Sequence, residues 1–140
     1  MEYMLDTNIL IYITTDHSWL DKEVVAIMQD SDNQFCISAE TLRELVVAFN
    51  NKGFNTKRWK TSADMIYSIE TDYAVRILPI DKNVMKTYSH LTLNTQDGHK
   101  DPSDHVIISH ALTLKMPLIS SDTRFPFYRK QGLDLIFNKK

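Results

Sequence analysis

The chain has 140 residues, 43% of them hydrophobic, which fits one compact domain over residues 1–140 and excludes a second domain of ordinary size. Its formal net charge of −2 gives no global attraction to a polyanion, so a nucleic-acid partner would be met by a local basic patch or through bound cations. One cysteine, Cys36, excludes a disulfide framework and a multi-cysteine zinc site, while the lack of a leader-like start at MEYML and of any run near ~18 apolar residues leads us to expect a soluble, cytoplasmic protein.

In chain order, Tyr3–Leu5 reads as a strand, and Asp6 follows it directly, set against the apolar run NILIY. Lys22–Gln29 has helical period, Phe35–Ile37 reads as a strand with Cys36 as a buried thiol, and Ala39–Asn50 is helical again. In that helix Leu42, Leu45, Val46 and Phe49 share one stripe that should face a sheet, which leaves Glu44 at the surface or a cleft edge. A helix over Lys57–Glu70, a strand at Val75–Leu78 and a helix over Lys82–Leu91 come next. The helix over Pro102–Leu114 has a clear start, with Asp101 as N-cap, Pro102 first and Asp104 at the capping-box position; capping alone would account for both acids. Strands at Leu118–Ile119 and Leu133–Phe137 close the chain. Strands alternating with helices over short connections predict an α/β domain with a mainly parallel sheet, without linker or repeat.

Functional groups in such sheets gather beyond the carboxyl ends of the strands. Asp6 follows one strand and Asp122 follows PLISS, so the two share a crevice if their strands are neighbours, and the helix start carrying Asp104 can open on the same edge. Two carboxylates ~4 Å apart repel by roughly 4 kcal/mol at an effective dielectric of 20. Converging acids therefore take up protons or bind a hard divalent cation, and all-oxygen ligation favours Mg²⁺ or Mn²⁺ over zinc. His17, His90, His99, His105 and His110 form no zinc spacing, and neither a nucleophile elbow nor a phosphate loop is present. Basic residues cluster at Lys52, Lys57, Arg58 and Lys60, at Arg124, Arg129 and Lys130, and at Lys139 and Lys140, mostly as expected of a solvated surface.

Taken in order, MLDTNILIY, ISAETLREL, DPSDHVIISHAL and PLISSDTRF resemble the PIN domains, most closely the VapC-type toxins of bacterial toxin–antitoxin pairs. The resemblance spans essentially the whole chain. It implies a three-layer α/β/α sandwich and a Mg²⁺- or Mn²⁺-dependent ribonuclease that hydrolyses RNA phosphodiesters by activated water. Carried over by motif, the catalytic and metal-binding acids fall on Asp6, Glu44, Asp104 and Asp122. Glu44 thus gains a role that periodicity did not suggest. Asn8 and Ser120 match supporting polar positions, with Ser120 in place of the usual Thr, and Asp101 matches an acid of a DPxD subgroup that we read as the helix cap.

The same resemblance implies an RNA substrate, a cognate antitoxin whose segment lies over the acids, and a homodimer. An alternative from another class is a PIN-like module that binds RNA or a partner without cleaving it. A phosphatase of haloacid-dehalogenase type is disfavoured, because it would want an acid where Asn8 stands. The stretch Asn51–Met65, with Phe54 and Trp59, reads as ordinary helix packing or as a partner groove.

Overall fold

The computed structural model describes residues 1–55 and 57–140. Five parallel strands, β1 (Glu2–Leu5), β2 (Gln34–Ser38), β3 (Val75–Leu78), β4 (Leu118–Ser120) and β5 (Leu135–Phe137), form one sheet in the order β3-β2-β1-β4-β5. The helices are α1 (Thr7–Thr14), α2 (Lys22–Gln29), α3 (Ala39–Lys52), α4 (Ser62–Thr71), α5 (Lys82–His90) and α6 (Pro102–Leu114). Short 3-10 turns lie at His17–Trp19 and Pro126–Gln131.

Alternating residues along the strands divide between two cores, as the two-residue period of a strand requires. Tyr3, Leu5, Ile37 and Ile119 pack with Ile9, Leu10, Val24, Leu45, Phe49, Met65 and Ile69 from α1 to α4 on one face. Met4, Cys36 and Leu118 pack with Ile107, Ile108 and Ala111 of α6 on the other, and α5 packs on α6. Burial on both sides makes the three-layer α/β/α sandwich that the family resemblance implies, and it pushes the Cys36 thiol up to about 12. No helix among the described residues is long and apolar enough to cross a membrane.

Two elements depart from the sequence reading. The apolar run after Asp6 is a helix, α1: the Asp6 side chain caps its start by accepting from the Thr7 N–H, and Ile9 and Leu10 bury its inner face. The fourth helix begins at Ser62 rather than Lys57, because Thr61 and Asp64 form a reciprocal capping box there that satisfies the free N–H groups of the first turn. Residues 57–60 are a turn and irregular chain instead, and Trp59 is buried in the core against Phe54 at 6.1 Å between rings. The packing reading of Asn51–Met65 therefore holds for its aromatic residues; Thr56, inside that stretch, lies outside the described residues. Gly53 ends α3 in the left-handed region, at φ 67°, where a side chain would be strained.

What this topology does for function is to place a switch point between β1 and β4. The chain leaves β1 toward β2 and β3, then returns across the sheet to β4 and β5. At such a reversal the connections diverge to opposite faces and leave a crevice beyond the carboxyl ends of the two strands. Asp6 and Asp122 stand at that crevice.

Candidate active site

The Asp6 backbone N–H donates to the carbonyl of Ile119 at 2.9 Å, so the end of β1 is stitched to β4 directly beside the crevice. Its side chain is 3% exposed. Oδ1 accepts from the Thr7 N–H at 2.8 Å and Oδ2 from the Ser120 hydroxyl at 2.7 Å. Burial pushes this carboxyl up to about 7, and the negative charges of Asp104 and Glu44 push the same way, against those two hydrogen bonds. A carboxylate so placed is short of positive charge.

Three small or flexible side chains tie the four acids together. The Thr7 hydroxyl donates to Glu44 Oε1 at 2.5 Å, linking α1 to α3. Ser120, buried at the end of β4, donates to Asp6 and accepts from the Asp122 N–H at 3.0 Å. Arg124 grips Asp122 with a fork, Nε to Oδ1 at 3.0 Å and Nη2 to Oδ2 at 2.8 Å, and its Nη2 lies 3.6 Å from Asp104 Oδ2. Burial would raise Asp122, yet the Arg124 hydrogen bonds and charge hold it below the usual carboxylate range. Asp104 goes the other way: burial, Asp101 and Asp122 raise it against the His99 hydrogen bond.

Each sequence-predicted residue thus has a place. Glu44 sits off the buried stripe of Leu45 and Phe49 and is half-buried in the cleft. Asp101 caps α6, accepting from the Ser103 N–H at 3.0 Å, as its cap reading expects, and its charge reaches Asp104. Ser120 touches two of the acids. Asn8 lies in the first turn of α1, where its buried Oδ1 has no hydrogen-bond donor among the described residues. Of the basic clusters, Arg58 caps the Thr14 carbonyl and stacks on Tyr73, Arg129 donates to the Leu135 carbonyl, and Lys130 lies over Phe127. Among the described residues of those clusters, Arg124 is the one that reaches these acids.

Sequence reasoning missed His99. Its ring is fully buried, with Nε2 2.9 Å from Asp104 Oδ2 and Nδ1 3.0 Å from the Tyr128 hydroxyl. The Asn94 N–H can only donate, and it reaches the Tyr128 oxygen at 3.0 Å. The phenol proton is then free for His99 Nδ1, which leaves the proton of a neutral ring on Nε2, facing Asp104. A buried string from Asn94 through Tyr128 and His99 therefore orients Asp104. Tyr128→Phe removes the middle of it, and we expect a loss of about 1–3 kcal/mol in urea unfolding, the usual cost of stranding buried polar partners. A neutral result would show that the string does not stabilise the fold.

The donor set suits a hard divalent ion. Carboxylate oxygens dominate, Asp6 carries uncompensated charge, and Asn8 offers a buried carbonyl oxygen nearby in sequence. Among the described residues, the ligand atoms that lie within 4.8 Å of one another are those of His99, Asp104 and Asp122, with His99 Nε2 committed to Asp104, while Asp6 and Glu44 stand outside that group and join it through the hydrogen bonds of Thr7, Ser120 and Arg124.

Comparison with known proteins places the fold. The family model described as PIN domain matches residues 3–132. Among solved structures, the VapBC2 complex of Rickettsia felis, bound to a promoter DNA fragment, superposes with a TM-score of 0.72 at 21% identity, covering 99% of this chain and 100% of that one. VapBC-1 of nontypeable Haemophilus influenzae gives 0.69 at 26% identity, with 100% of both chains covered. FitAcB of Neisseria gonorrhoeae gives 0.65 at 22% identity, over 97% of this chain and 96% of that one. No curated protein sequence matches.

Proposed function

Since this chain belongs to the PIN domain family, a family of nucleases, we propose that it is a metal-dependent endoribonuclease and the toxin of a VapBC-like pair. The observation that carries this is the linkage of Asp6, Glu44, Asp104 and Asp122 through Thr7, Ser120 and Arg124 at one sheet edge. Asp6, Glu44, Asp104 and Asp122 would hold Mg²⁺ or Mn²⁺. When bound, the ion supplies Lewis-acid chemistry, acidifying water and neutralising charge that builds on a phosphoryl oxygen.

The chain's own part is positioning. Glu44 accepts one hydrogen bond from the Thr7 hydroxyl, and Asp6 accepts one at each oxygen, from the Thr7 N–H and the Ser120 hydroxyl, which leaves the remaining carboxylate lone pairs for an ion. His99 fixes the face that Asp104 presents. The rim carries Arg43, held on Glu40 at 2.5 Å and within reach of the charges of Glu44 and Asp101. A guanidinium there suits an RNA backbone that a chain of net charge −2 would otherwise repel.

Solved neighbours that are VapBC complexes support a cognate antitoxin as partner; the basic side chain it would offer to these acids, the homodimer and the cytoplasmic setting are proposed on the family resemblance. The test is cleavage of structured and single-stranded RNA with Mn²⁺. We expect products with 5′-phosphate and 3′-hydroxyl ends, and a loss on the order of 10²-fold or more with a chelator or in Asp104→Asn. Full cleavage by Asp104→Asn would sink the assignment. Mn²⁺ uptake without any cleavage would instead favour a module that binds RNA and leaves it intact.

A further inference from the structure

We propose that Arg124 is an exchangeable cation of the acid pocket: it neutralises Asp122 while the pocket is free of metal, gives up that carboxylate to an arriving divalent ion, and then binds an RNA backbone phosphate. This rests on the nuclease reading above and adds a residue to it.

The geometry makes Arg124 and a metal ion competitors. Both hydrogen-bonding edges of the guanidinium used here, Nε and Nη2, go into Asp122, and Nη2 is 3.6 Å from Asp104. These are two of the three groups whose ligand atoms come within 4.8 Å of one another. An ion seated between Asp104 and Asp122 would stand at close range to a fixed positive charge. One of the two cations must leave.

Arg124 is built to be the one that leaves. Its backbone is held firmly: the N–H donates to Asp122 Oδ1 at 2.9 Å, and the carbonyl accepts from Asn94 Nδ2 at 3.1 Å. Its side chain is 38% exposed, and among the described residues the guanidinium bonds to no group besides these two carboxylates. Arg58 and Arg129 differ, because each donates to a backbone carbonyl of the fold. An anchored stem whose planar fork is held by acids alone matches what a phosphate diester needs once those acids are occupied. The exchange also makes RNA affinity depend on metal through one side chain.

Calorimetric titration of Mn²⁺ into metal-free wild type, Arg124→Gln and Arg124→Lys tests the first half. Arg124→Gln should bind Mn²⁺ about five-fold more tightly, the factor expected from losing a part-exposed ion pair, with Arg124→Lys in between because it keeps the charge and loses the fork. Binding of a 2′-O-methyl RNA oligonucleotide, which resists hydrolysis, tests the second half. With Mn²⁺ present, Arg124→Gln should bind it about ten-fold more weakly and with a salt slope smaller by about one; without Mn²⁺ the two proteins should bind alike. An Arg124→Gln protein that takes up Mn²⁺ no better than wild type makes Arg124 a static prop for Asp122 and overturns the exchange alone. Unchanged oligonucleotide affinity in Mn²⁺ overturns it as well. A wild type that takes up no Mn²⁺ overturns both this and the nuclease reading.

Discussion

Asp6→Asn is expected to abolish metal-dependent cleavage and, in the metal-free protein at pH 8, to raise the thermal midpoint by roughly 10–15 °C. Both effects have one cause. The Asp6 carboxyl is pushed from 3.8 up to about 7, chiefly by burial, so keeping it ionised in the folded chain at pH 8 costs about 4 kcal/mol at 1.4 kcal/mol per pH unit. Asparagine has the same shape without that charge. Its oxygen can still accept from the Thr7 N–H, and its amide can donate to the Ser120 hydroxyl, which has a lone pair left after accepting from Asp122. Asp6→Ala separates shape from charge: it strands Thr7 and Ser120, and no comparable gain should follow. Differential scanning calorimetry with a chelator, run beside the cleavage assay, reads both effects. If Asp6→Asn melted below wild type at pH 8, the carboxylate would have to be well compensated and the case for an ion there would fail.

A site that destabilises its own fold is hard to see in a sequence, and the legible parts were those set by local rules. Strand alternation and the capping signals at Asp101 and Pro102 placed the parallel sheet and α6 because neighbours in the chain decide them. Helix α1 was missed for a tertiary reason. Its run TNILIY is rich in residues that suit a strand, and what makes it helical is Asp6 turning to cap it after β1 ends. The start of α4 was misplaced because Trp59, apolar and seemingly part of a helical face, is buried from a turn. Glu44 entered only through family resemblance, since helix periodicity excludes a residue off the buried stripe and cannot see that Thr7 reaches it across helices. His99 and Arg124 left weaker signals still. They lie five residues before Asp104 and two after Asp122, in loop segments without a period, and the contacts that matter are made by side chains whose directions only the fold decides. The signal they do leave is a histidine and an arginine flanking acids that a motif already marks.

Metal-free protein should lose about 4 kcal/mol of stability as the pH rises from about 4 to about 7, and Mn²⁺ should restore much of it at the upper end. The unfolded chain releases the Asp6 proton near 3.8, whereas the folded chain holds it to about 7. Over that interval the unfolded state binds fewer protons, so the contribution present at low pH drains away as the pH climbs. Asp104, raised by its burial, acts in the same sense. Asp122 acts in the opposite sense: held low by Arg124 against burial, it stabilises above about 3.8 and loses that contribution only in stronger acid, so the metal-free optimum should lie near pH 4 to 5. An ion needs the ionised carboxylates, and below pH 7 it must displace the Asp6 proton, so its binding should strengthen with pH and level off above 7. At a hundredfold excess over Kd it stabilises the fold by about 2.7 kcal/mol. Urea unfolding from pH 4.5 to 8, with chelator and with Mn²⁺, should therefore give two curves that meet at the acid end and separate toward pH 8. Parallel curves would mean that the ion, wherever it binds, does not draw on Asp6.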